Sequence, residues 1–195
     1  MSEKQSYNLK DYILHLNNWI SKDICQKSIE ELDKDNNWHR HNWVNSKSYE
    51  IFHTKEEQLY MNTTYKLTYI KELYDLTWSA LNKYIVLDKI GGDYFKGWKG
   101  FSEIRFNRYD KKQQITKHVD HIHSCFDGKT KGIPILSIVA VLNDNYEGGE
   151  FIMFDDYEIK FKAGDLIIFP SVFLYPHLVK AVKKGIRYSF VSWCY

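Results

Sequence analysis

The spacing of apolar residues changes character part-way along the chain. Leu9, Tyr12, Ile13, Leu16, Trp19 and Ile20 recur at three- and four-residue steps, which predicts an amphipathic helix. Ser21 can cap a second helix carrying Ile24, Cys25, Ile29 and Leu32, and Asn36-Asn37 breaks it. Trp38–Val44 reads as a strand. Ser46–Asn62 is mixed and polar, a loop with short ordered pieces. The longest helical signal, Tyr65–Leu87, has a broad apolar face built from Leu67, Ile70, Leu73, Tyr74, Leu76, Leu81, Tyr84 and Ile85. Gly91-Gly92 closes it.

From Phe101 the period becomes two. Ser102–Tyr109 and Ile115–Asp120 read as strands around a polar turn. Ser124–Gly132 is a polar loop. Ile133–Leu142 is a continuous apolar run, the pattern of a strand buried on both faces. Asn143–Gly149 is a turn cluster. Strands at Glu150–Phe154, Glu158–Phe161, Leu166–Phe169, His177–Val182 and Ile186–Trp193 follow. Helices first and about eight strands after predict an α+β domain whose second half is an antiparallel jelly roll with a ligand cavity between its sheets. The 15 Tyr, 11 Phe and 6 Trp suit such a fold, because aromatic side chains pack well on pleated surfaces.

Length and charge narrow the picture. At 195 residues the chain is read as a single domain, 1–195. A formal net charge of +2 gives no strong pull toward nucleic acid or an acidic membrane surface. Tyr94–Phe101 interleaves aromatics with lysines, as base-stacking surfaces do, but no second basic patch accompanies it; a loop entering a strand explains it better. Cys25, Cys125 and Cys194 are odd in number and widely spaced, so no disulfide framework is expected and a reducing compartment is. No stretch approaches the ~18 apolar residues of a membrane span, and residues 1–10 lack a signal core. The expected location is the cytoplasm. Nothing in the pattern specifies an oligomeric state.

The candidate chemistry lies in the strand half. His118 and Asp120 are two apart, so on a strand they share a face. His177 opens a late strand and supplies a third ligand. Two imidazoles and a carboxylate match the facial triad that holds Fe(II) with positions left open. Arg187 follows His177 by ten residues in another strand-like run and can set a fixed positive charge beside the metal. His121 falls on the opposite face by period two. With the strand ending near Asp120, His121 and His123 are expected to be bystanders, His123 being the substitute ligand should the strand run on. His15, His39, His41 and His53 read as structural or exposed.

The run Phe101–Trp193 resembles the iron(II)- and 2-oxoglutarate-dependent dioxygenases, in their prolyl 4-hydroxylase-like branch. The matching pieces are Arg108-Tyr109, His118-x-Asp120, Leu142-Asn143-x-x-Tyr146-x-Gly148-Gly149-Glu150, Ala163-Gly164-Asp165, Phe169-Pro170-Ser171, His177-x-Val179, Gly185-x-Arg187-Tyr188-Ser189 and Trp193. The resemblance implies a double-stranded β-helix core, residues 101–195, with a helical support region, 1–100, packed on its outer sheet. It implies Fe(II) on His118, Asp120 and His177, with Arg187 pairing with the distal carboxylate of 2-oxoglutarate. Tyr109 would contact that cosubstrate or its water. Ser137, Val141 and Trp193 would line the pocket. O2 would be the oxidant and ascorbate the reductant.

The activity so implied is hydroxylation of an unactivated C–H bond, with succinate and CO2 released. A prolyl residue in a protein or peptide is the favoured substrate. The alternatives are a 2-oxoglutarate-dependent hydroxylase or demethylase of a small molecule or nucleic acid, and a non-catalytic jelly-roll module. Asn107-Arg108-Tyr109 resembles the Asn-x-Tyr run of alkylation-repair demethylases. Those enzymes carry a further arginine after the cosubstrate one, whereas Arg187 is the last arginine here. Ser46–Asn62 and Ser124–Gly132 are the loops expected to select substrate.

Overall fold

A computed structural model describes residues 8–44, 48, 50–53, 57–86, 100–120 and 133–195. In chain order these form β1 (Leu14–Leu16), α1 (Lys22–Leu32), β2 (His39–Arg40), β3 (Trp43–Val44), β4 (Ile51–Phe52), β5 (Tyr60–Asn62) and α2 (Ile70–Ile85). The strand half continues with β6 (Arg105–Tyr109), β7 (Ile115–His118), β8 (Leu136–Val141), β9 (Glu147–Gly148), β10 (Phe151–Met153) and β11 (Tyr157–Ile159). It ends with β12 (Leu166–Pro170), β13 (His177–Val179), β14 (Val182–Lys184) and β15 (Arg187–Cys194).

Seven strands make the larger sheet, in the order β1-β12-β8-β15-β6-β5-β2, and four make the facing one, β11-β10-β13-β7. Every pairing between these strands is antiparallel. This is the α+β double-stranded β-helix. Alternation along β8 divides the interior into two cores. Leu136, Ile138 and Ala140 face the helices, packing with Cys25, Leu32, Leu73, Leu81 and Tyr84. Val139 faces the other way, into the space between the sheets, with Phe151, Met153, Ile167, Phe169 and Val179. The helices therefore cover the outer face of the larger sheet, and the inner face is left for a site.

Two helices form where expected. Ser21 caps α1 by accepting from the Ile24 amide. α2 begins later than the periodicity suggests, because the residues before it are tied to α1: Thr68 donates through its amide and its hydroxyl to Glu31. Leu87, at the far end of that signal, lies outside the described residues.

The expected helix over Leu9–Ile20 does not form. A short 3-10 turn at Leu9–Tyr12 gives way to β1, which pairs with β12 at the sheet edge. Helical spacing lost to an edge whose backbone groups need partners. Asp165 fixes the junction: it accepts from the amides of Asn18 at 2.8 Å and Lys162 at 2.9 Å and lies 3.1 Å from His15 Nε2. Gly164 makes this approach possible. Its φ is +89°, and a Cβ there would sit 2.2 Å from the Ile20 carbonyl oxygen.

Two further strands divide. Trp38–Val44 is not one strand, since β2 joins the large sheet while β3 pairs with β4. His177–Val182 likewise divides between β13 and β14, which lie in different sheets. Ser46–Asn62 carries the short ordered pieces expected of it, β4 and β5, and β5 is an internal strand of the large sheet beside the fully buried Leu59. Cys25 and Cys194 are buried free thiols, pushed up to about 12 by burial. Cys125, Tyr94–Lys99, Gly91-Gly92 and the whole Ser124–Gly132 loop lie outside the described residues. Among the described residues no helix is long and apolar enough to cross a membrane.

Candidate active site

Strand register brings the triad together. His177 on β13 is directly opposite His118 on β7. β7 ends at His118, two residues earlier than the sequence suggests, and Asp120 lies in the irregular segment just beyond it. It still reaches the same point: one ligand atom from each of His118, Asp120 and His177 falls within 4.8 Å of the others. Asp120 Oδ1 is 3.5 Å from His118 Nε2, and Oδ2 is 3.7 Å from His177 Nε2. These separations are too long for hydrogen bonds and leave room between the three groups.

The far nitrogens fix the rings. His118 Nδ1 lies 2.7 Å from the Thr116 carbonyl oxygen, and His177 Nδ1 lies 3.1 Å from that of Tyr175. A carbonyl can only accept, so each Nδ1 carries the proton and donates. That turns both Nε2 lone pairs toward Asp120, the arrangement a divalent cation requires. Burial pushes His177 down to about 4, helped by His118 and opposed by Asp120, so its ring is neutral near pH 7. Burial works against ionisation of Asp120. Even so, the histidines and the Ser137 hydroxyl hold its carboxyl well below the usual carboxylate range. Phe151 stacks on His177, with ring centroids 5.3 Å apart, and Phe169 meets it edge-on.

Arg187 stands at one end of this cavity. It pairs across the strands with Tyr109, and its guanidinium lies 5.1 Å from the Tyr109 ring centre. The side chain is 1% exposed. Nη1 donates to the Ser189 hydroxyl at 2.8 Å, while Nε and Nη2 have no partner. A buried guanidinium with two free donors is costly unless a ligand answers it. A planar fork with free donors fits a carboxylate, and the triad's donor set of two imidazole nitrogens and a carboxylate fits Fe(II). Gly149, with φ +65°, leaves the space Arg187 needs, since a Cβ there would lie 3.1 Å from its Cδ.

The recess holds about 370 Å³ of empty space, mouth included, and is lined by every sequence-selected residue so far described: Tyr109, His118, Asp120, His177 and Arg187. Trp193 lines it too. From β8 the lining residue is Val139, neither Ser137 nor Val141, although Ser137 reaches Asp120. His121 and His123 lie outside the described residues.

Sequence reasoning missed three groups. Arg105 lines the recess, and period two along β6 already put it on the face of Asn107 and Tyr109. Trp43 meets His118 edge-on with ring centroids 5.6 Å apart, and the buried His41 packs on Trp43 at 4.8 Å. No local pattern linked those two N-terminal residues to the triad.

Comparison with known proteins places this geometry. Residues 104–195 match the family profile described as the 2OG-Fe(II) oxygenase superfamily. That stretch, just under half of the chain, is similar to the superfamily. A PKHD-type hydroxylase of Xylella fastidiosa (strain M12) is 39% identical over 106 residues, which cover 46% of this chain and 42% of that protein. One from Acinetobacter baumannii is 35% identical over 94 residues, 45% of this chain and 40% of that one. The chain thus spans about two fifths of the length of these curated relatives. Among solved structures, the prolyl hydroxylase of Trichoplax adhaerens, in complex with a hypoxia inducible factor oxygen degradation domain peptide, superposes with a TM-score of 0.70 at 15% identity, over 94% of this chain and 83% of that one. A Pseudomonas putida prolyl-4-hydroxylase gives 0.65 at 19% identity, over 93% and 91%. At these identities the structural likeness establishes the double-stranded β-helix fold.

Proposed function

We propose that this protein is an Fe(II)- and 2-oxoglutarate-dependent oxygenase that hydroxylates a prolyl residue of a protein or peptide, releasing succinate and CO2. The observation that carries the reading is the pairing, in one recess, of the oriented His118–Asp120–His177 triad with Arg187, whose buried donors lack a partner. His118, Asp120 and His177 hold the metal through two Nε2 atoms and a carboxylate. Arg187 takes the distal carboxylate of 2-oxoglutarate with its two free donors, and the Ser189 hydroxyl holds the guanidinium in place. Tyr109 is buried beside Arg187. Burial pushes its phenol up, against the pull of Arg187 and Arg105, so it stays a neutral donor toward the cosubstrate.

When bound, iron and 2-oxoglutarate supply the oxidising chemistry with O2, and ascorbate keeps the metal reduced. The protein orients and shields. The aromatic wall of Phe151, Phe169 and Trp43 keeps water from the metal's ligands, and the larger sheet fixes the cosubstrate's arginine against the smaller sheet's histidines. The chain is read as one domain, 1–195, its N-terminal part stiffening the outer face of the sheet that carries Arg187. It acts in the cytoplasm, consistent with unpaired Cys25 and Cys194. The prolyl assignment draws support from the relatives' names: several solved neighbours are prolyl hydroxylases.

The test is mass spectrometry on a proline-containing peptide library incubated with Fe(II), ascorbate and 2-oxoglutarate. A gain of about 16 Da on proline, absent with His177→Ala, is expected. Oxygen insertion only at other residues would overturn the prolyl assignment and leave the oxygenase reading standing.

A further inference from the structure

Arg105 is a second cation in the recess, half-buried as a residue, and nothing in the chemistry assigned above uses it. Its position is set by register. On the paired strands β6 and β15, Arg187 faces Tyr109 while Val191 faces Arg105. Four residues separate the two arginines' levels, roughly 13 Å of strand. Arg105 therefore stands well away from the end where Arg187 waits for 2-oxoglutarate. It lies on the side of Asp120, whose charge it feels, and of Trp193.

Its surroundings resemble a binding half-site. The guanidinium lies over the Trp193 ring, 4.8 Å from the centre, a cation–π contact. Nε is buried and has no hydrogen-bond partner. Neighbouring polar atoms are unanswered as well: Asn107 Oδ1 and Trp193 Nε1, both on residues lining the recess. Asp120 is the one carboxylate among the described lining residues, and the metal claims it. A divalent metal and the 2-oxoglutarate dianion cancel each other, and Asp120 balances one arginine. One positive charge is left over, in a place where burial penalises it.

We infer that Arg105, held over the Trp193 ring, is a specificity-determining residue that binds a carboxylate on the substrate, next to the carbon to be hydroxylated. This rests on the oxygenase reading and deepens it. The favoured substrates then bear a negative charge beside the target, either as the α-carboxylate of a terminal residue or as a neighbouring acidic side chain. A guanidinium suits such a group because two of its donors meet two carboxylate oxygens in one plane.

Binding can be read without turnover by isothermal titration of protein loaded with Mn(II) and 2-oxoglutarate under anaerobic conditions. The probes are matched acid and amide pairs: N-acetyl-L-proline against N-acetyl-L-prolinamide, and acetyl-Pro-Asp-amide against acetyl-Pro-Asn-amide. Dimethyl phosphate serves as a phosphodiester control. In at least one pair the acid is expected to bind tenfold or more tightly than its amide. Which pair it is separates a terminal carboxylate from a side chain. Arg105→Met should erase that preference while 2-oxoglutarate still binds, and Arg105→Lys should keep part of it. Acid and amide binding alike, or not at all, in both pairs overturns the inference. So does a preference that survives Arg105→Met, or dimethyl phosphate binding more tightly than any carboxylate. Failure of the wild type to bind Mn(II) and 2-oxoglutarate in the first place would instead strike at the oxygenase reading.

Discussion

Replacing Arg187 by methionine separates a ligand-binding arginine from a structural one. The substitution keeps most of the buried volume and removes the charge. In the free protein Arg187 is 1% exposed, makes one hydrogen bond and leaves two donors unanswered. Removing it therefore breaks no ion pair among the described residues. What is lost is the hydrogen bond to Ser189, about 1 kcal/mol, and a cation–π contact with Tyr109 of similar size. What is gained is relief from an unpaired buried charge, worth several kcal/mol. The apo protein should be as stable as wild type or more so. The ligand should suffer instead. Two charge-assisted hydrogen bonds at about 1.5–3 kcal/mol each imply a loss of about 3–6 kcal/mol, or about 10²- to 10⁴-fold in 2-oxoglutarate affinity. Urea unfolding of the apo protein and calorimetric titration of 2-oxoglutarate into the Mn(II) form measure the two sides. The reasoning is refuted if Arg187→Met binds 2-oxoglutarate as tightly as wild type. It is also refuted if the apo variant loses the ~3–5 kcal/mol typical of a broken buried ion pair.

Other perturbations probe other parts of the account. Removing one metal ligand, by His118→Ala or His177→Ala, should cost more than the ~10–100-fold lost when only a ligand's supporting partner is removed; equilibrium dialysis against Mn(II) reads this. His41 is pushed down to about 4, first by burial and then by Arg105 and His118. Below pH 6.5 the unfolded chain binds the proton that the folded one refuses, so stability is full above that pH and drains as pH falls toward 4. The drain should total about 3 kcal/mol, and His41→Phe should remove that share from a urea-unfolding series across the range. Asp165→Ala leaves the Asn18 and Lys162 amides without acceptors at the β1 edge. It should destabilise the fold by about 2–5 kcal/mol in urea unfolding, with Mn(II) affinity largely kept.

The C-terminal half was legible because its chemistry and its fold share one pattern. Period two located the strands and singled out His118 and Asp120, although Asp120 reaches the site from just beyond the end of β7. The continuous apolar run at Ile133–Leu142 announced a strand buried on both faces, and β8 is buried throughout. The N-terminal reading fared less well for a physical reason. Ile13 and Leu16 fit helical spacing while Leu14 and Leu16 fit period two, and over so short a stretch neither pattern excludes the other. The decision came from Gly164 and Asp165, far along the chain, which offered the segment an edge and a set of hydrogen-bond acceptors. Trp43 and His41 escaped notice for a related reason, since only the folded arrangement carries them to His118. Arg105 is a different case. Its face was readable from Tyr109, but a strand arginine looks like a solvated residue until Trp193 and the facing sheet close over it.

The most direct measurement of the central claim is conversion of 2-oxoglutarate to succinate, without added substrate, by protein supplied with Fe(II), ascorbate and air. Slow succinate formation is expected, stopping under anaerobic conditions and disappearing in His177→Ala and Asp120→Ala. A wild type that binds Fe(II) yet forms no succinate, or succinate formation that persists in both variants, would contradict it.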